Sequence, residues 1–101
     1  MENREHAEFD KALDTVLKEL GDMLKSKNRK YGNSITKPVR IFSKADPIEQ
    51  IDVRIDDKLS RMVYGDGNDT EDTEQDLTGY LIIKRVLLVL KKDGTSEVIH
   101  V

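Results

Sequence analysis

The sequence contains no cysteine and only two histidines, His6 and His100, which lie near opposite ends of its 101 residues. Without cysteine the chain can form neither a disulfide nor a zinc site built on thiolates. Two distant histidines also make a histidine-rich metal site or a histidine-based catalytic triad hard to build from one chain. Carboxylates, hydroxyls, tyrosines and basic side chains are the groups left for chemistry.

Long apolar runs are also absent. The longest, residues 86–90, is far too short to span a membrane, and the charged N-terminus lacks the apolar segment of a signal peptide. The net charge of −3 argues against binding to duplex nucleic acid, although a local basic cluster can still bind a small anion. We therefore expect a cytoplasmic protein with no membrane or duplex nucleic-acid partner.

Charged residues make up 37% of the chain and hydrophobic residues another 37%, which is typical of a highly charged helical protein. A chain of this length forms one domain, residues 1–101, with a modest core. We predict an all-α fold of three main helices with a short extended C-terminal tail. Because the core is small, we expect a homo-oligomer, a dimer or higher.

The central helix is predicted over residues 48–63, with the sequence IEQIDVRIDDKLSRMV. Asp46 suits its N-cap, Pro47 suits its first position, and the helix should end near Tyr64. Apolar residues recur at steps of three or four, which is the period of a helix with one buried face. This apolar stripe consists of Ile48, Ile51, Ile55, Leu59 and Met62.

Charged residues flank the stripe on both sides. The acidic flank carries Glu49, Asp52 and Asp56, and the basic flank carries Arg54, Lys58 and Arg61. Acids beside a dry groove can hold a divalent cation, and bases can hold phosphate, as a nucleotide pocket requires. The alternative is a solvated helix face with ion pairs inside the helix.

A first amphipathic helix is predicted over residues 2–24, either as one wall of the core or as a helix that binds a partner. A basic segment without any acid follows it at residues 25–37, KSKNRKYGNSITK. In a loop of this composition the basic side chains suit phosphate, Gly32 permits close backbone approach, Ser34 offers a hydroxyl and Tyr31 can stack on a base. The alternative is a solvated basic linker. The cations of interest are Lys27, Arg29 and Lys30.

The third helix should begin at Asp69 or Thr70 and run to about Lys92. Glu71, Asp72 and Glu74 lie in its first turn, where the helix dipole favours acids. The helix is apolar around most of its circumference, so we place it near an oligomer interface. Residues 85–90 also suit a strand, and a C-terminal hairpin is the alternative to a helix with an extended tail.

Three pieces of the sequence resemble the nucleotide modification associated domain family. They are the segment KYGNS at residues 30–34, the central helix with Arg54, Asp57, Lys58 and Arg61, and Glu71-Asp72 followed by Asp76-Leu77 and Tyr80. That family is common in phages and is similar to the all-α nucleoside triphosphate pyrophosphatases of the MazG and dimeric dUTPase type. The resemblance covers about residues 27–85, and it implies a viral origin and a helical oligomer with a nucleotide site between helices.

The related pyrophosphatases bind magnesium with an ExxE motif on one helix and an ExxD motif on the next. Here the two spacings occur in reversed order, at residues 49–52 and 71–74, and a contiguous EExxE is absent. If the protein is an enzyme, we expect magnesium on carboxylates of these two helices. The candidates are Glu49, Asp52, Asp56, Asp72 and Asp76.

Three functions are compatible with the sequence. The first is binding and sequestration of a phosphorylated nucleotide, for example a signal made by a host immune system. The second is magnesium-dependent nucleotide pyrophosphohydrolysis, and the third is a protein adaptor that binds through the first helix. For the ligand we expect contacts from Lys27, Arg29, Lys30, Tyr31, Gly32, Ser34, Arg54, Lys58, Arg61 and Tyr80.

Overall fold

The computed structural model describes residues 4–66 and 70–93, with side chains described from residue 73 in the second range. These residues form three helices, α1 at Arg4–Lys30, α2 at Pro47–Tyr64 and α3 at Thr70–Asp93, and they contain no strand. The prediction of an all-α fold with three main helices is therefore confirmed. The chain divides into two compact units, Met1–Gly32 and Asn33–Val101, which are described separately.

Helix α1 is six residues longer at its C-terminal end than the sequence predicts. It continues to Lys30, so the assignment of residues 25–30 to a loop is wrong. The apolar period stops at Leu24, but no glycine or proline occurs between Leu24 and Gly32, and basic side chains in the last turn interact favourably with the helix dipole. The end itself is a turn in which Gly32 takes a φ of 64°, a left-handed conformation that suits glycine.

Helix α2 begins as the sequence predicts. The Asp46 carboxylate accepts a hydrogen bond of 2.8 Å from the Glu49 backbone N–H, and Pro47 occupies the first turn, where its missing N–H costs nothing. At the other end the Gly65 N–H donates to the Arg61 carbonyl at 2.9 Å. The predicted boundaries of α2 are confirmed.

Helices α2 and α3 pack against each other as an antiparallel hairpin, since Ile51 near the start of α2 meets Leu87 near the end of α3. Ile51 and Leu87 are 2% and 0% exposed, and they form the centre of the core. Burying two such side chains contributes about 1.5–3 kcal/mol each. Four half-buried residues surround them, namely Ile35, Ile48, Tyr80 and Ile83.

The apolar stripe of α2 turns toward Lys58 in its second half. Leu59, which we predicted to lie in the stripe, is 45% exposed, and Met62 is 39% exposed. The Lys58 side chain is instead only 13% exposed. Lys58 and Leu59 follow Ile55 by three and four residues, so they lie on opposite sides of the packed face. Lys58 takes the enclosed side, where it pairs with Asp76 on α3.

Helix α3 runs to Asp93, so residues 85–90 are helical rather than extended. Residues 94–101, where we expected an extended tail or a hairpin, lie outside the described residues. On α3, several apolar side chains stay exposed: Leu81, Val86, Leu88 and Val89. Within the described part of the chain, none of the helices combines the length and the apolar character that crossing a membrane requires.

Candidate functional site

Each charged flank of α2 meets an opposite charge on α3. On the acidic flank Asp52 Oδ1 lies 2.7 Å from Lys84 Nζ. On the basic flank Lys58 Nζ lies 3.2 Å from Asp76 Oδ2. Because Asp52 and Lys58 lie on either side of Ile55, the two ion pairs stand on opposite sides of the packed seam and fix the register of the hairpin.

Lys58 is the most enclosed charge of the basic flank. Its side chain is 13% exposed, whereas that of Asp76 is 45% exposed. An enclosed ammonium is costly unless it is paired and hydrogen-bonded, and Asp76 supplies the pairing. An ammonium has three N–H donors, so it can bind Asp76 and a phosphate oxygen at the same time.

The two arginines of this flank are accessible. Arg54 is exposed and forms no ion pair with any residue that the structure describes. Arg61 Nε lies 3.2 Å from Asp57 Oδ2, and both side chains are more than half exposed. Such a surface pair within one helix contributes little to stability, so an anion can replace Asp57 at low cost. The basic flank therefore offers one enclosed cation and two accessible ones.

The candidate metal ligands are less well assembled. Glu49 and Asp56 are exposed, while Asp52 and Asp76 each hold a lysine. Over residues 4–66 and 73–93 no three histidine, aspartate or glutamate side chains come close enough to hold a metal ion. The side chain of Asp72 is outside the described residues. Magnesium ligation by this set stays a prediction, and two of its members would first have to release an ammonium.

Tyr80 and Ser34 differ in their surroundings. Tyr80 is half-buried and packs against Ile51 and Leu87, four residues after Asp76 and four before Lys84. Its ring therefore belongs to the core of the hairpin, between the two cross-helix ion pairs. Ser34 is exposed. Stacking of Tyr80 on a base stays a prediction.

The remaining candidate residues belong to the first unit. Lys27, Arg29 and Lys30 form the exposed last turn of α1, and Tyr31 and Gly32 follow it. The Lys30 ammonium lies 5.7 Å from the centre of the Tyr31 ring, a cation–π contact. The helix dipole by itself explains why cations suit this position.

Sequence reasoning missed Lys84 and the loop before α2. On α3 the acid Asp76 is followed about two helical turns later by the base Lys84, and on α2 the acid Asp52 is followed at a similar distance by the base Lys58. This matching spacing of opposite charges on two neighbouring helices was the signal that could have identified Lys84. In the loop, the Arg40 guanidinium donates to the Lys44 carbonyl at 2.7 Å, and the Lys44 ammonium donates to the Arg40 carbonyl at 3.2 Å. These two bonds close a five-residue loop that leaves Phe42 fully exposed.

Comparisons with known proteins add no relative to this picture. No protein-family model, curated protein or solved structure matches the chain. The resemblance to the nucleotide modification associated domain family is therefore a prediction that depends on the residues quoted above. The function has to be argued from the basic flank of α2 and its neighbours.

Proposed function

We propose that the protein binds a phosphorylated nucleotide, or a signal molecule derived from one, and sequesters it. The observation that carries the proposal is the placement of Lys58 at the edge of the helix seam, where its side chain is 13% exposed and its ammonium lies 3.2 Å from Asp76 Oδ2. A charge with most of its side chain enclosed is costly unless it is paired, and the fold has already ordered this one. Lys58 would meet the phosphate from a fixed position.

Arg54 and Arg61 would complete the phosphate contacts. Both lie on the same flank as Lys58, and both are accessible from solvent. A guanidinium binds phosphate with two parallel hydrogen bonds, whereas an ammonium acts as a point charge. The hairpin presents these cations from a packed framework, which reduces the ordering cost of binding.

The end of α1 offers a second surface of the same chemistry. Lys27, Arg29 and Lys30 are exposed there, and Tyr31 is 59% exposed beside them. An exposed tyrosine ring can stack on a base, and the neighbouring cations can meet phosphate. Each surface by itself suits an anionic ligand.

Sequestration is proposed ahead of hydrolysis because two of the five candidate metal ligands are already engaged. Asp52 and Asp76 each neutralise a lysine, so neither is available to magnesium without breaking an ion pair. A pyrophosphohydrolase needs a metal that activates water and neutralises phosphate charge. A ligand bound only through cations would be held without being cleaved.

The proposal includes a homo-oligomer and a host-cell setting. Leu81, Leu88 and Val89 of α3 are about half exposed, and a second copy could cover them. The resemblance to a phage-type family adds the host cytoplasm as the location and a host immune signal as a ligand. A protein of this kind would counteract host defence by lowering the free concentration of the signal.

The test is retention of an intact ligand. The protein is incubated with magnesium and a panel of nucleoside triphosphates, cyclic dinucleotides and adenosine diphosphate ribose derivatives, then filtered and denatured, and both fractions are analysed by mass spectrometry. A retained ligand released intact supports sequestration. A cleaved product in the filtrate supports the pyrophosphohydrolase instead. If nothing is retained or cleaved, and no compound raises the melting temperature, the protein-adaptor hypothesis replaces both.

Two arginine variants then locate the site. Arg54→Ala removes an exposed cation of the basic flank and should weaken binding of the retained ligand about tenfold or more, since a charged hydrogen bond is worth about 1.5–3 kcal/mol. Arg85→Ala removes an exposed arginine from α3 and is the matched control. Equal affinities of the two variants, measured by calorimetry, would show that the basic flank of α2 is not the binding surface.

A further inference from the structure

Helix α1 carries an apolar seam that its own unit leaves uncovered. Phe9, Leu13, Val16, Leu20 and Met23 are spaced alternately by four and three residues, which is the spacing of a coiled-coil seam. None of the described residues of α1 is buried. Phe9 and Val16 are 66% and 50% exposed, whereas Leu20 and Met23 are half-buried. A seam with this regular spacing is suited to packing against a second helix.

The opposite side of α1 is a solvent face. It carries four basic residues, each seven positions after the last, which places them in one line along the helix. This line is about half a turn away from the apolar seam, so it does not compete for the same partner. Its members are Arg4, Lys11, Lys18 and Lys25.

The charges of α1 are also sorted along its axis. Residues 4–16 contain the carboxylates of Glu5, Glu8, Asp10 and Asp14 and two basic residues. Residues 17–30 contain two acids and five basic residues, which are Lys18, Lys25, Lys27, Arg29 and Lys30. The first half is therefore net negative and the second half net positive.

We infer that α1 pairs with α1 of a second copy of this chain in an antiparallel orientation. Antiparallel pairing brings the acidic half of each helix beside the basic half of the other, whereas parallel pairing would bring like charges together. The pairing is isologous, so its two-fold axis passes near Val16, the midpoint between Phe9 and Met23. Phe9 of one copy then lies close to Met23 of the second copy.

This inference deepens the proposed homo-oligomer by naming the helix and its orientation. It does not depend on ligand binding. An oligomer that forms only through α3 would leave the proposed function intact and overturn the pairing of α1. The experiments below use the full chain without nucleotide.

Disulfide trapping tests the orientation, because the chain has no cysteine of its own. In a Phe9→Cys, Met23→Cys variant the two thiols of one helix are about 21 Å apart, too far to bridge within a copy. Antiparallel pairing predicts a covalent dimer with a disulfide between positions 9 and 23, identified by peptide mass spectrometry. Links joining only 9 to 9 and 23 to 23, or the absence of a covalent dimer, would overturn the inference.

A matched control places the thiol on the solvent face. Lys11→Cys lies opposite the seam, so it should give less than about one tenth of the covalent dimer under the same oxidation. Circular dichroism of the reduced variants checks that all of them keep the wild-type helix content. Equal dimer yield from Lys11→Cys would mean that the links come from random collision, which also counts against the pairing.

Charge reversal tests the same idea without touching the seam's apolar residues. Lys27→Glu with Lys30→Glu makes both halves of α1 net negative and should raise the dimer dissociation constant at least about tenfold in analytical ultracentrifugation. Adding Glu5→Lys and Asp10→Lys restores opposite signs in the two halves and should return the constant toward wild type. An unchanged constant in the first variant, or no recovery in the second, contradicts antiparallel pairing.

Discussion

In the α2–α3 hairpin each charged flank of one helix meets an opposite charge on the other, whereas in α1 the charges are separated along the helix axis. Asp52 with Lys84 and Lys58 with Asp76 satisfy one another inside the second unit. In the first unit Lys18 and Asp22 form an ion pair between successive turns of the same helix. The charges of the hairpin are therefore paired within the chain. In α1 the acidic half and the basic half lie at opposite ends of one helix, so they cannot pair with each other.

Burial differs in the same direction. Leu87 in the hairpin is 0% exposed, but Phe9 in α1 is 66% exposed. A buried core stabilises a protein at any concentration, whereas an uncovered seam contributes only when a partner is present. Mutations in the two regions should thus differ in their dependence on protein concentration as well as in size.

The largest effect is expected in the hairpin core. Leu87→Ala should lower the free energy of unfolding by about 2–5 kcal/mol, because it removes buried contacts and leaves a cavity. Urea denaturation at two protein concentrations measures the loss, which should be the same at both. Leu88→Ala is the control, since Leu88 is 46% exposed and should cost about 1 kcal/mol or less. Equal losses from the two variants would contradict the assignment of Leu87 to the core.

The next effect concerns the enclosed ion pair. Asp76→Asn removes the carboxylate from Lys58, whose side chain is 13% exposed, and should cost about 1–2 kcal/mol. This figure is below that of a fully buried pair because the Asp76 side chain is 45% exposed. Asp57→Asn breaks the exposed pair with Arg61 and should change stability by less than about 0.5 kcal/mol. If the two variants unfold at the same urea concentration, Lys58 does not need its partner.

A smaller effect is expected in α1, and it should depend on concentration. Leu13→Ala shortens a seam residue that is 42% exposed in one copy, so it should cost about 1 kcal/mol only where the paired form is populated. Thermal unfolding followed by circular dichroism over a hundredfold dilution series measures this. A loss that is constant across the series would place Leu13 in a core within one copy.

The smallest effect is a pH dependence at the Lys18–Asp22 pair. The hydrogen bond from Lys18 and its charge lower the pKa of Asp22 below its ordinary value of 3.8. A depressed pKa means that the pair stabilises α1 above the unfolded pKa of Asp22 and that this contribution is lost as the pH falls through the folded pKa. A carbon-detected NMR titration of Asp22 should give a midpoint below 3.8 in the wild type. Lys18→Gln should return it toward the ordinary value, and identical midpoints would show that the pair is not formed in solution.

The element boundaries of the second unit could be predicted because strong local signals mark them. Asp46 and Pro47 begin α2 as an N-cap and a first-turn proline, and acids mark the first turn of α3. The end of α1 could not be found in this way, because the polar residues 25–30 carry no apolar period, although they continue the helix to Lys30.

Residue spacing hints at the partners of the charges but does not decide which pairs form. The two flanks of α2 are visible from residue spacing, but the choice between Lys58 and Leu59 for the seam depends on Asp76 of the facing helix. The register between two helices is set by their packing against each other, so residue spacing within one helix does not predict it. For the same reason residue spacing suggests Asp52 and Asp76 as metal ligands, whereas in the folded chain each of them forms an ion pair with a lysine.

Tyr80 gives the hairpin an optical signal of its own. The chain has no tryptophan and three tyrosines, of which Tyr31 and Tyr64 are 59% and 84% exposed. Tyr80 alone packs against the core. Near-ultraviolet circular dichroism reports rings fixed in a packed environment and disappears when the packing loosens. The near-ultraviolet spectrum of this protein therefore follows the second unit without a label, while the far-ultraviolet spectrum sums all three helices.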